Sequence, residues 1–182
     1  MPRLHPVDPA TATGTTKELL DQIQAAFGMT PNMARVMAAN PAVLEGWFGL
    51  STTLAGTLDP RLNEQLAIAI AEANGCGYCL SAHTAVGRIV GLDARELEAS
   101  RSADSADPRA AAALRFARDV HERRGHVSDA DIARVRAAGY DDRDIAAIVG
   151  QVALNVLTNY FGIVAQPDID FPVVTPDVQE AA

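Results

Sequence analysis

Both cysteines of this 182-residue chain lie three positions apart, in the run Gly75-Cys76-Gly77-Tyr78-Cys79-Leu80-Ser81-Ala82-His83. Two thiols at that spacing can cycle between dithiol and disulfide. A thiolate that attacks an O–O bond becomes a sulfenic acid, and a second thiol condenses with it to form the bridge. This chemistry requires an activated sulfur, a resolving sulfur and a proton for the departing alkoxide, and Cys76, Cys79 and His83 can supply them. The spacing says that the groups can meet, not which sulfur attacks. Other uses of the same residues are weaker. A bridge across so short a loop constrains the unfolded chain little. Zinc on both thiolates, His83 and Glu64 would have four ligands, but structural zinc usually comes from loops, and no second cysteine pair exists. Glycines on either side of Cys76 point to a shaped turn rather than an incidental buried thiol.

The elements that must position these groups are helices. Val86, Ile89 and Val90 continue a helical pattern beyond the motif. This puts the thiols on a first helical turn, where free backbone N–H groups and the dipole lower a thiol pKa. At about 100° per residue, Cys76, Cys79 and His83 fall within an arc of roughly 60°. Upstream, Leu66-Ala67-Ile68-Ala69-Ile70-Ala71-Glu72-Ala73 is apolar at almost every position, as expected of a helix buried on most sides. Asp59-Pro60 supplies its N-cap and first position. Glu64 and Glu72 lie on this helix, and a buried carboxylate is costly unless it is paired or used. Spacing alone does not choose between them.

Glu64, eleven intervening residues, Cys76-Gly77-Tyr78-Cys79, three more residues and His83 together resemble the signature of the alkylhydroperoxidase D and carboxymuconolactone decarboxylase superfamily. The resemblance covers roughly residues 40–100. It implies an all-α, single-domain, multi-helix bundle and a CxxC-dependent peroxidase acting on hydrogen peroxide or organic hydroperoxides. It implies Cys79 as the attacking residue, Cys76 as the resolving one, and His83 with Glu64 as the proton relay. No cofactor is implied. The implied partners are a small hydroperoxide, a reducing dithiol protein or carrier, and further copies of the chain in a trimer or hexamer. One departure stands out: the best-known peroxidase-type members have histidine just before the second cysteine, where this chain has Tyr78. Two other functions stay open. One is a lyase like the decarboxylase branch, which does not rely on a cysteine pair; the other is a non-enzymatic thiol sensor or metal-holding oligomer.

Composition bounds these alternatives. The chain is 48% apolar but only 5% aromatic, and rich in alanine, which favours packed helices over sheets. Its length suits one domain able to bury about 70% of its unfolded surface. A net charge of −8, with no basic cluster longer than Arg123-Arg124, argues against nucleic acid and anionic lipid as partners. No uninterrupted apolar run reaches the roughly 18 residues of a membrane span. The start, Met1-Pro2-Arg3-Leu4-His5-Pro6, lacks the apolar core of a secretion signal. The expectation is a cytoplasmic, reducing setting, in which CxxC is redox-active or metal-binding rather than a staple.

Residues 1–14 read as a flexible arm, 15–166 as the helical domain with 59–91 as its core motif, and 167–182 as an extended tail free to wrap a neighbour. Trp47 and Phe48 read as core, with a pocket wall or subunit interface as the sharper alternatives. On the last long helix, about residues 142–165, Gln151, Asn155 and Asn159 step by four through an apolar background. They need hydrogen-bond partners in neighbouring backbone, a second subunit or a pocket. Gly91-Leu92-Asp93 and Gly139-Tyr140-Asp141 share one stop-and-start pattern, a faint duplication or common capping grammar. His121, His126 and His5 read as surface or tail groups.

Overall fold

The computed structural model describes residues 2–177, which hold nine α-helices and no strand. They are α1 (Gly14–Phe27), α2 (Asn32–Met37), α3 (Pro41–Leu54), α4 (Pro60–Asn74), α5 (Gly77–Ile89), α6 (Ala94–Arg101), α7 (Pro108–Glu122), α8 (Asp129–Ala137) and α9 (Asp142–Ala165). This is the all-α bundle that the sequence implies.

Local chemistry sets most of the boundaries. Asn40, Asp59 and Asp107 cap helices whose first residue is proline, each side chain accepting a free amide just inside α3, α4 or α7. Ser128 and Asp141 open α8 and α9 with reciprocal capping boxes. Gly91 and Gly139, with φ of 91° and 93°, turn the chain just ahead of the capping residues Asp93 and Asp141. The repeated sequence pattern is therefore used in the same way at both places.

α4 is the axis, packing on α5, α6, α7 and α9. Its sides face two different cores. Ile68 and Ala71 join residues of α1, α2, α3 and α5, whereas Leu62, Leu66, Ala69 and Ile70 join α7 and the first half of α9. That is why α4 is apolar nearly all the way round. α9 runs past both cores, giving Leu154 to one and Ile148 and Val152 to the other. Among the described residues α9 alone is long and apolar enough to cross a bilayer. Here its apolar side packs against α3, α4, α5 and α7.

The terminal segments are extended but lie on the body. The backbone N–H groups of Arg3 and Val7 donate to the carbonyls of Ala165 and Arg35 at 2.8 and 2.9 Å. Ile169, Phe171 and Val174 pack against the first core, and the Val174 N–H donates to Ser81 Oγ at 2.9 Å. The tail, expected to be free for a neighbour, covers the motif helix of its own chain. Met1 and residues 178–182 of the expected arm and tail lie outside the described residues.

Candidate active site

α4 stops at Gly75, whose φ of 70° suits glycine, and α5 begins two residues later. Cys76 is the N-cap of α5, its Sγ accepting the Cys79 N–H at 3.3 Å, and Cys79 sits in the first turn. Both thiols are free and almost fully buried. α9 closes over them at Gly162. A Cβ there would lie 3.0 Å from Cys76 Sγ and 3.6 Å from Cys79 Sγ, so the missing side chain makes room for the pair.

The two sulfurs share charge unequally. A hydrogen bond from the Cys79 side chain holds Cys76 below the usual thiol range, against burial, with the Cys79 and Tyr78 amides and the His83 charge adding to the effect. The same contact works the other way on Cys79. Together with burial and the charge of Cys76 it pushes Cys79 well above that range, opposed by the Asn159 side chain and a backbone amide. Of the two thiols in the reduced pair, Cys76 is therefore the one that ionises more easily.

Glu64 from α4 and His83 from α5 also meet. The His83 Nδ1–H donates to Glu64 Oε2 at 2.8 Å, which fixes the ring and leaves Nε2 for another partner. Burial opposes a charged ring, but the charge and hydrogen bond of Glu64, with Cys76 contributing, raise His83 above its ordinary value. The His83 and Glu64 side chains are 29% and 17% exposed, in a cavity of about 300 Å3. Trp47, Ala67 and Leu154 form its apolar wall and Asn63, Gln151 and Asn155 its polar one; no Lys or Arg among the described residues lines it. Neither cysteine lines it. Cys76 borders a second cavity of about 170 Å3, with Gly75, Gly77, Gly162 and Gln166. The four expected residues thus form two pairs, Cys76 with Cys79 at the start of α5 and Glu64 with His83 between α4 and α5, and Cys76 and the acid–imidazole pair border different cavities.

The other carboxylate, Glu72, is engaged elsewhere. It accepts from Arg101 Nε at 2.8 Å and from the Asp177 backbone at 2.6 Å, fastening the tail to the far end of α4. Tyr78, where peroxidase-type relatives have histidine, commits its hydroxyl to the tail and α2. It donates to Asp170 Oδ2 at 2.6 Å and accepts the Met33 N–H at 3.2 Å. Burial and the Asp170 carboxylate raise its pKa above the ordinary phenol value.

The amide series divides. Gln151 donates to Asn63 Oδ1 and the Leu54 carbonyl, Asn155 donates to the Gln151 carbonyl, and both line the larger cavity. Asn159 instead is fully buried and accepts from Asn74 Nδ2 at 3.0 Å, and its amide works to lower the Cys79 pKa. Trp47 is both core and cavity wall, its Nε1–H donating to Thr158 Oγ1 at 3.0 Å, while Phe48 meets Phe27 edge-on. Gly162 and Asp170 were not foreseeable as site residues. The only signal for Gly162 is a glycine inside an apolar helical pattern, and Asp170 gives none. Among the described residues no three His, Cys, Asp or Glu side chains converge as metal ligands.

Residues 41–119 match the carboxymuconolactone decarboxylase family. The crystal structure of an alkylhydroperoxidase AhpD core, an uncharacterized peroxidase-related protein from Ralstonia eutropha JMP134, matches with a TM-score of 0.82 and 25% identity, over 93% of this chain and 92% of that one. The chain belongs to the alkylhydroperoxidase D and carboxymuconolactone decarboxylase superfamily. An uncharacterized peroxidase-related protein from Silicibacter sp. TM1040 shares the fold, with a TM-score of 0.77, 24% identity and 91% of each chain covered. The debrominase Bmp8 shares it with a TM-score of 0.76, 17% identity and 92% of each chain covered. No curated protein sequence matches significantly. The fold of this superfamily supports a peroxidase-related or decarboxylase-like function.

Proposed function

We propose that this superfamily member is a thiol-dependent peroxidase that reduces hydrogen peroxide or an organic hydroperoxide by cycling Cys76 and Cys79 between dithiol and disulfide. The observation that carries this reading is the sulfur pair: two free thiols in mutual hydrogen bonding, packed against Gly162, one of them drawn toward the thiolate. The thiolate is the attacking form. Charge on Cys76, and its position on a cavity wall, support Cys76 as the attacking sulfur and Cys79 as the resolving one, the reverse of the order that the resemblance implies.

In the first step Cys76 Sγ takes the terminal OH of the peroxide and the O–O bond breaks. The departing alkoxide takes its proton by relay from His83, which is paired with Glu64 on the other cavity and whose charge acts on Cys76. In the second step Cys79 loses its proton and attacks Cys76 Sγ; the S–S bond forms, the S–O bond breaks and water leaves. A reducing dithiol protein or carrier then accepts the oxidation and restores both thiols. A cytoplasmic homo-oligomer is expected, since Val149, Leu157, Tyr160 and Val164 leave exposed apolar surface along α9 of the kind that subunits cover.

The test is turnover of cumene hydroperoxide or hydrogen peroxide by the reduced protein with dithiothreitol as donor. Cys76→Ser should abolish it, and Cys79→Ser should stop after one event with a dimedone-reactive sulfenate. The mirror-image pattern would return the attack to Cys79, and an inactive wild type would refute the peroxidase. One observation favours a second reading: the Glu64–His83 cavity has no sulfur in its wall. Acid–base chemistry on a lactone or carboxylate there, in the manner of the decarboxylase branch, would survive Cys76→Ser.

A further inference from the structure

Asn159 lies on α9 one turn before Gly162 and is 0% exposed. Its Oδ1 accepts from Asn74 Nδ2 at 3.0 Å, which fixes the amide plane and turns Nδ2 the other way. That Nδ2 is the one fully buried side-chain nitrogen or oxygen among the described residues without a hydrogen-bond partner. Leaving a buried donor unmatched is costly, and such a group calls for an explanation. The sulfurs supply one. Both lie against the same helix at Gly162. A protonated thiol is a weak acceptor, whereas a thiolate accepts strongly.

We propose that Asn159 is a catalytic residue of the dithiol cycle, its Nδ2–H group donating to the Cys79 sulfur whenever that sulfur carries negative charge. Asn74 is the positioning residue that aims it. The inference rests on the dithiol reading above and assigns a donor to its second half. In the reduced pair Cys76 is the thiol eased toward ionisation, while its hydrogen bond, burial and any charge it carries push Cys79 up, with the Asn159 amide pulling the other way. Once Cys76 becomes a sulfenic acid, its charge is gone and the amide remains to favour the Cys79 thiolate that closes the bridge. The same donor serves the return step. When an external thiolate attacks Cys76 Sγ, the S–S electron pair leaves on Cys79 Sγ, and Asn159 receives that charge.

The test needs no peroxide, so it stands or falls separately from the peroxidase. In a Cys76→Ser background, Cys79 is titrated by thiolate absorbance near 240 nm and by its rate of alkylation with iodoacetamide. His83 with Glu64, and Tyr78 with Asp170, are the other ionisable groups around the pair, and every variant retains them. Asn159→Leu is expected to raise the Cys79 pKa by about one unit, making alkylation at neutral pH about tenfold slower. Its melting temperature should change little, because the orphaned Nδ2 is removed while Asn74 loses its acceptor. Asn74→Ala, which frees the amide but keeps it, should shift the titration in the same direction by less, and it serves alone if Asn159→Leu does not fold. A titration unmoved in the folded variants would overturn the proposal, as would a Cys79 that becomes more acidic.

Discussion

Replacing Glu64 by glutamine keeps an oxygen to accept the His83 Nδ1–H but removes the charge that holds the ring protonated. His83 binds its proton more tightly in the folded chain than in the unfolded one. It therefore contributes stability that is fully present below the ordinary histidine value of about 6.5, and lost as pH rises through the raised folded value. An opposite charge at hydrogen-bond distance moves a pKa by about 1–3 units, each about 1.4 kcal/mol. The two side chains keep some contact with solvent, 29% and 17%, which puts the expected effect at the lower end, about one unit. Urea unfolding of wild type and Glu64→Gln at pH 6 and pH 9 reads this directly. The stability gap between them should be wider at pH 6 by about 1.4 kcal/mol. The alkaline limb of peroxide-driven thiol oxidation should also move down by about one pH unit in the variant. An equal gap at both pH values, or a wider one at pH 9, would refute the claim that Glu64 keeps His83 charged.

Two further substitutions probe the surroundings of the pair. Gly162→Ala gains about 1 kcal/mol of helix propensity. Its methyl, however, would stand 2.8 Å from Met33 Cε and 3.0 Å from Cys76 Sγ, an overpacking worth about 1–3 kcal/mol. The expected result is a loss of about 0–2 kcal/mol in urea unfolding together with slower disulfide formation, and a more stable variant with an unchanged rate would contradict the packing. Tyr78→Phe strips Met33 N–H of its acceptor and Asp170 of one of its two donors, leaving the Asn32 N–H. It should cost about 1–3 kcal/mol and speed limited proteolysis within residues 168–177. Wild-type resistance would mean that the remaining contacts of the tail with Asn32, Ser81, Arg101 and Glu72 hold it without Tyr78.

What the sequence made legible follows from how local each signal is. The caps at Asp59, Asp93 and Asp141 are written within four residues, and they appear where the pattern puts them. The apolar run of α4 announced a helix covered on most sides, though not that two separate cores meet on it. Glu64 and His83 share a site because α4 and α5 form one corner, and this is close to what their spacing relative to the cysteines implies. The choice of Glu64 over Glu72 needed a residue far along the chain: Arg101, together with the tail at Asp177, occupies Glu72. The three amides of α9 show the same limit. Their spacing shows that they need partners, but only the packing of α9 on α4 and α5 sends Gln151 and Asn155 to a cavity and Asn159 to Asn74. The division of charge between Cys76 and Cys79 was equally out of reach. It depends on which sulfur caps α5, and both positions look alike in a CxxC.

The most direct measurement is rapid mixing of fully reduced protein with one equivalent of hydroperoxide, followed by thiol counting and mass analysis of the peptide that spans residues 76–79. Stoichiometric loss of two thiols per chain, with a Cys76–Cys79 bridge that dithiothreitol reopens, is the expected result. Retention of both thiols, while the peroxide survives unchanged, would contradict the dithiol cycle at its root.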